Sequence, residues 1–123
     1  EILKQMLAYL HEHYTEKITL EEIASAGQIS KSRCTAIFKE YLQETPINHL
    51  ISYRLTKATE LLLYTDRTVT EIAYAVGFSG SSYFTEAFRK NFDHTPTEYR
   101  RKFTVQHRAD GAANSYYKVG REH

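Results

Sequence analysis

The sequence predicts an all-α fold: two helix-turn-helix subdomains joined by a long linker helix, about seven helices in all. Three observations predict it. Apolar residues recur at helical spacing along most of the chain. Start signals stand at the heads of those runs. A pattern at residues 23–46 returns at residues 72–96. With 123 residues, 41% hydrophobic and 25% charged, the chain has the make-up of one globular domain that buries a core. Gly 5 and Pro 2 suit helices and short turns better than a turn-rich β-barrel.

The elements follow in order. Leu3, Met6, Leu7, Leu10 and Tyr14 mark the apolar face of a first helix. The first helix-turn-helix occupies about 19–43. Its short helix holds Leu20, Ile23 and Ala24; its second holds Cys34, Ile37, Phe38, Tyr41 and Leu42. The linker helix, about 46–64, carries Ile47, Ile51, Leu55, Ala58, Leu61 and Leu62. The second helix-turn-helix, about 68–92, repeats the plan with Ile72, Ala73 and Ala75, then Phe84, Ala87, Phe88 and Phe92. A final helix at about 96–103 carries Tyr99 and Phe103. Residues 104–123, rich in small and polar residues around Ala109–Ser115, are expected to form a flexible tail.

Caps support these boundaries. Thr19-x-x-Glu22, Thr68-x-x-Glu71 and Thr95-x-x-Glu98 each have the capping-box pattern, in which hydroxyl and carboxylate satisfy each other's backbone amide. Pro46 after Thr45 suits the first position of the linker helix. Ser30 and Ser79 are candidate caps for the two later helices. In the repeat, Ile23-Ala24 matches Ile72-Ala73 and Ser30 matches Ser79, a step of 49; Phe38 matches Phe88 and Thr45-Pro46 matches Thr95-Pro96, a step of 50. The extra residue is expected in the second copy's later helix.

Several classes are excluded or disfavoured. One cysteine, Cys34, allows no internal disulfide framework; it sits on an apolar face and reads as core. The longest apolar runs fall far short of the ~20 residues of a membrane span, so no membrane partner is expected. His11-Glu12-His13 has i, i+2 spacing, which does not share a helix face, so no metal is expected. No catalytic motif or cofactor motif is present, and the chain reads as a non-enzyme that needs no cofactor. Net charge is +1, so an argument for a polyanionic partner must rest on charge placement.

That placement is informative. The later helix of each copy has a polar outer face: Ser32, Arg33, Thr35, Ala36 and Lys39 in the first, Ser81, Ser82, Thr85, Glu86 and Arg89 in the second. Residues 28–39 hold Lys31, Arg33 and Lys39 and no acid, while Arg89 and Lys90 stand against Glu86. A short helix, a tight turn and a second helix is the plan in which the second helix enters a DNA major groove. Residues 46–64 span roughly 28 Å at about 1.5 Å per residue, and major-groove faces on one side of a duplex recur about every 34–36 Å. One chain could thus hold two reading helices about one turn apart. Their faces differ, so the site is expected to be asymmetric. A helical protein-interaction module is the alternative reading; it would expose an apolar patch in place of these polar faces.

The residues Ile72-Ala73, Gly77-Phe78-Ser79, Ser82-Tyr83-Phe84, Phe88-Arg89-Lys90, Thr95-Pro96 and Tyr99-Arg100 resemble the second helix-turn-helix of the AraC/XylS family DNA-binding domain. Arg54-Leu55, Ala58 and Leu61-Leu62 resemble its linker helix, and the likeness covers roughly 2–103. The resemblance implies a bacterial, cytoplasmic (nucleoid-associated) transcription regulator of the activator kind. It implies double-stranded DNA as partner, RNA polymerase as a further one, and an effector or dimerisation domain in a part of the protein not present here. It implies base contacts from Ser32, Thr35, Ala36, Ser81, Ser82 and Glu86, and phosphate contacts from Lys31, Arg33, Lys39, Thr85, Arg89 and Lys90. Glu86 can accept from cytosine N4 or pair with Arg89 or Lys90. Arg54 reads as a structural ion pair or cap, and Tyr83 and Phe84 as core and phosphate-edge groups. Gln43 and Asp93 replace the family's glycines after each reading helix, a left-handed position that a non-glycine residue adopts at some cost. The turn at Gly27-Gln28-Ile29 is out of frame by one with Gly77-Phe78.

Overall fold

The computed structural model describes the backbone of residues 1–113 and the side chains of residues 1–104. Seven helices follow in order: α1 (Ile2–His13), α2 (Leu20–Ala26), α3 (Lys31–Leu42), α4 (Pro46–Tyr64), α5 (Val69–Ala75), α6 (Ser81–Phe92) and α7 (Pro96–Ala113). No strand occurs among the described residues. None of the described helices is long and apolar enough to cross a membrane.

All three capping boxes form. Each threonine amide donates to the glutamate three residues on, and that glutamate's amide donates back to the threonine Oγ1: Thr19 with Glu22, Thr68 with Glu71, Thr95 with Glu98, at 2.8–3.1 Å. Two amides that a helix start leaves orphaned are satisfied at each site. The Thr95 amide holds the Glu98 carboxyl below its ordinary pKa. This contribution is full above the usual carboxylate range and fades as pH falls through the lowered value. Ser30 caps α3 through the Arg33 amide, and Thr45 accepts from the Asn48 amide over Pro46, the first residue of α4. Ser79 does not cap α6; Gly80 stands at that position, with no side-chain hydrogen bond. The extra residue of the second copy is therefore in the turn. The later helices are equal, 12 residues each, and residue 80 moves the serine one place too far from the helix start.

The chain divides into two compact units, residues 1–56 with 75–77, and residues 57–74 with 78 onward. In the first, Met6, Leu10, Ile23, Ala24, Cys34, Phe38 and Leu50 form the core, packed round by Ile2, Leu3, Leu7, Tyr14, Ile18 and others. Cys34 is a core residue, and burial raises its thiol pKa. α1 and α4 are also bridged by a polar contact. His49 faces Glu44 Oε2 through Nδ1 at 2.7 Å and His11 through Nε2 at 3.2 Å. In the second unit the core is aromatic. Phe84 and Phe88 are fully buried, and Phe88 meets Tyr99 edge-on at 5.3 Å between ring centroids. Ala58, Leu62, Ile72, Ala73, Phe78 and Ala87 of the same unit are buried too. Edge-on and tilted rings suit the quadrupoles of such pairs.

Two arginines tie helix ends. Arg54 donates from Nε to the Tyr14 carbonyl and from Nη2 to the Glu16 carbonyl, both at 2.7 Å, at the C-terminal end of α1. Arg100 donates to the Leu62 and Thr65 carbonyls at the end of α4. A cation at a helix C-terminus meets the orphaned carbonyls and the negative end of the dipole. The cap expected of Arg54 is formed.

α7 continues to Ala113, well past the boundary near 103 that the apolar pattern suggests. Beyond Pro96 no proline interrupts it, and Ala109, Ala112 and Ala113 favour helix. The rest of the expected tail, 114–123, lies outside the described residues.

Candidate nucleic-acid interface

The turns before α3 and α6 are built alike. In the first, the Ile29 amide donates to the Ala24 carbonyl at 3.1 Å; in the second, the Phe78 amide donates to the Ala73 carbonyl at 2.9 Å. Both bonds close a six-residue turn at a helix end. Each turn has one residue at positive φ, Gln28 (58°) and Gly77 (107°). The frame shift by one therefore changes the residue type and not the turn: Gln28 takes the part of Gly77.

α3 and α6 each end in a left-handed residue, Gln43 (φ 57°) and Asp93 (φ 60°), whose amides return to Lys39 and Arg89. The two departures from glycine thus keep the glycine conformation.

Buried residues fix the rotation of both helices. Cys34 and Phe38 turn one side of α3 inward, and Phe84 and Phe88 do so for α6. At about 100° per residue, the opposite side presents Ser32, Ala36 and Lys39 on α3, and Ser82, Glu86 and Arg89 on α6. All six are exposed. Lys31, Arg33 and Lys90 are exposed at the flanks, while Thr35, Ser81 and Thr85 are half-buried there. The sequence-predicted residues therefore group as one polar strip within each unit. Lys31 lies 4.0 Å from Glu21 across solvent. Among the described residues, Arg33, Lys39, Glu86, Arg89 and Lys90 form no ion pair.

Three residues of the strips escape a reading by polarity alone. Tyr83 is 58% exposed, its ring 5.7 Å from Phe78, while its neighbour Phe84 is fully buried. Only Phe84 is core. The 50-residue step reveals this, because it puts Tyr83 where α3 has Arg33. Glu40 on α3 and Gln43 just beyond it are also exposed, at positions that the same step equates with Lys90 and Asp93. No group of three or more His, Cys, Asp or Glu among the described residues could hold a metal ion.

Chemically, each strip offers hydroxyls and small side chains near a helix start, with cations beside them. Such a surface suits base edges and phosphates.

Known proteins share this fold. A family model described as a helix-turn-helix domain matches residues 23–102. An uncharacterised HTH-type transcriptional regulator of Bacillus subtilis, YdeC, is 46% identical over 99 residues, covering 80% of this chain and 34% of that protein. The HTH-type transcriptional activator RhaS of an Enterobacter species is 37% identical over 98 residues, covering 80% and 35%. The chain thus spans about a third of the length of these curated relatives. Among solved structures, the C-terminal domain of AraT, a response regulator of Geobacillus stearothermophilus, has a TM-score of 0.77 at 34% identity, covering 81% of this chain and 84% of that one. The DNA-binding domain of the global transcriptional factor AdpA, solved in complex with a target DNA, has a TM-score of 0.78 at 25% identity, covering 95% and 99%.

Proposed function

The chain belongs to the AraC/XylS family of helix-turn-helix transcription regulators, and on that premise we propose that it is the DNA-reading part of a bacterial regulator. It binds double-stranded DNA in a sequence-specific way, with α3 and α6 in successive major grooves of an asymmetric operator. The observation that carries this reading is the pair of polar strips, each set on a helix whose rotation is locked by buried aromatic or apolar residues. Ser32, Thr35, Ala36, Ser81, Ser82 and Glu86 contact bases. Lys31, Arg33, Lys39, Thr85, Arg89 and Lys90 contact phosphates. Unpaired cations in the strips support that division, because they are available to meet phosphate oxygens. The remaining length of the relatives supports a larger protein, in which a further domain senses an effector or dimerises and RNA polymerase is the partner at an activated promoter. The protein works in the cytoplasm at the nucleoid and performs no chemistry. A helical protein-interaction module would expose an apolar patch; among the described residues of α3 and α6 the exposed large hydrophobics are one tyrosine on each, Tyr41 and Tyr83.

Enriching random duplexes on the chain and sequencing them tests the division of roles. Ser81→Ala with Ser82→Ala is expected to flatten the preference at the positions α6 contacts. Lys39→Ala is expected to weaken all sequences alike and leave the motif unchanged. Matching profiles from the two variants would overturn the assignment.

A further inference from the structure

Glu86 is the central residue of the α6 strip. Phe84 and Phe88, two residues before and after it, are fully buried, so its side chain leaves the helix on the opposite side. It is exposed. Arg89 and Lys90 stand three and four residues on, the spacing at which a helical ion pair forms. No such pair is present among the described residues. Two readings are open from sequence, cytosine contact and local ion pair, and the second is not formed in the structure.

An ionised carboxylate only accepts hydrogen bonds. In a major groove it stands between two lines of phosphates, where it is repelled unless a base supplies a donor. Thymine offers O4 and a methyl group, and guanine offers N7 and O6, so neither supplies one. Adenine offers its N6 amino group beside the N7 acceptor, whose lone pair meets the second carboxylate oxygen. Cytosine offers its N4 amino group with no acceptor beside it on the groove edge. We propose that Glu86, as an unpaired carboxylate at the centre of the α6 face, makes α6 select a cytosine at one operator position and reject the other three bases there. The claim rests on the DNA reading above and adds the base. On α3 the equivalent position, 50 residues earlier, is Ala36, flanked in the same way by buried Cys34 and Phe38. A methyl group imposes no such demand, so this selection belongs to one half of the site alone.

The test is selection of random duplexes on the full chain, its Glu86→Ala variant and its Glu86→Gln variant. The wild type is expected to enrich a cytosine at one position of the α6 half. Glu86→Ala loses the preference there and keeps the rest of the motif. Glu86→Gln moves it to adenine, whose N6 and N7 match an amide. On a single duplex, changing that C·G pair to T·A is expected to weaken the wild type about tenfold and the alanine variant hardly at all. Equal thermal midpoints of the three proteins establish that the fold is unchanged. A motif whose cytosine persists in Glu86→Ala overturns the inference and leaves the DNA reading standing. Failure of the wild type to enrich any sequence overturns the DNA reading itself.

Discussion

Replacing Gly77 by alanine is expected to destabilise the protein by about 3 kcal/mol or more, a large part of the 5–15 kcal/mol that holds a typical domain together. Two costs combine. The φ of 107° is a conformation that side-chain-bearing residues rarely adopt. An added Cβ would also lie 2.5 Å from the Tyr14 carbonyl oxygen and 2.6 Å from Arg54 Nε. Those are the two ends of the hydrogen bond that caps α1. The methyl group must therefore either displace backbone or break a charged hydrogen bond, and both are expensive when buried. Gly80, three residues on, is the control. It is extended at φ −175°, and a Cβ there meets nothing within 4 Å. Gly80→Ser restores a hydroxyl at the cap that Ser79 is too early to fill, and is expected to stabilise by about 0.5 kcal/mol. Urea unfolding of the three proteins measures both effects. A Gly77→Ala protein as stable as the wild type would show that the turn is not held as described.

The second large effect concerns binding. Net charge is +1, so attraction to DNA must come from cations placed along the strips. If Lys31, Arg33, Lys39, Arg89 and Lys90 each neutralise one phosphate, log affinity falls against log salt with a slope of about −4.5, which is roughly five hundredfold between 50 and 200 mM. Lys39→Ala should reduce the slope by about 0.9 and leave the preferred sequence in place. Titrations at several salt concentrations measure it. An affinity that does not vary with salt would remove the phosphate contacts from the account.

Much of this architecture was legible in the sequence because its determinants are local. A capping box needs only residues i and i+3, so all three could be read from Thr-x-x-Glu alone. Most core positions followed from helical period, although Tyr41 and Ile47, which share that period, lie at helix ends and are exposed; the equivalence of the two copies followed from a repeated pattern. Readings failed where the register of a helix or the closing bond of a turn, and not residue type, decided the outcome. Ser79 has the right residue type for a cap, but Gly80 shifts the helix start by one. Gln28 carries a left-handed conformation that its residue type does not announce; the bond from Ile29 to Ala24 requires it. Tyr83 and Phe84 look alike in composition, yet the helix sends one outward and the other into the core. Arg54 was recognisable as structural, but its targets, the Tyr14 and Glu16 carbonyls, lie about 40 residues away in sequence and appear only once the chain is folded. For the strips, polarity and spacing were enough to find the outward residues. The roles of those residues toward bases and phosphates are what the selections above decide.

The most direct measurement is the affinity of the chain for its selected duplex after insertion of about five base pairs, half a helical turn, between the segments that α3 and α6 contact. If both helices of one chain engage the same face of the DNA, the insertion should cost as much affinity as scrambling one segment entirely. Unaltered affinity would mean that the two helices do not bind together.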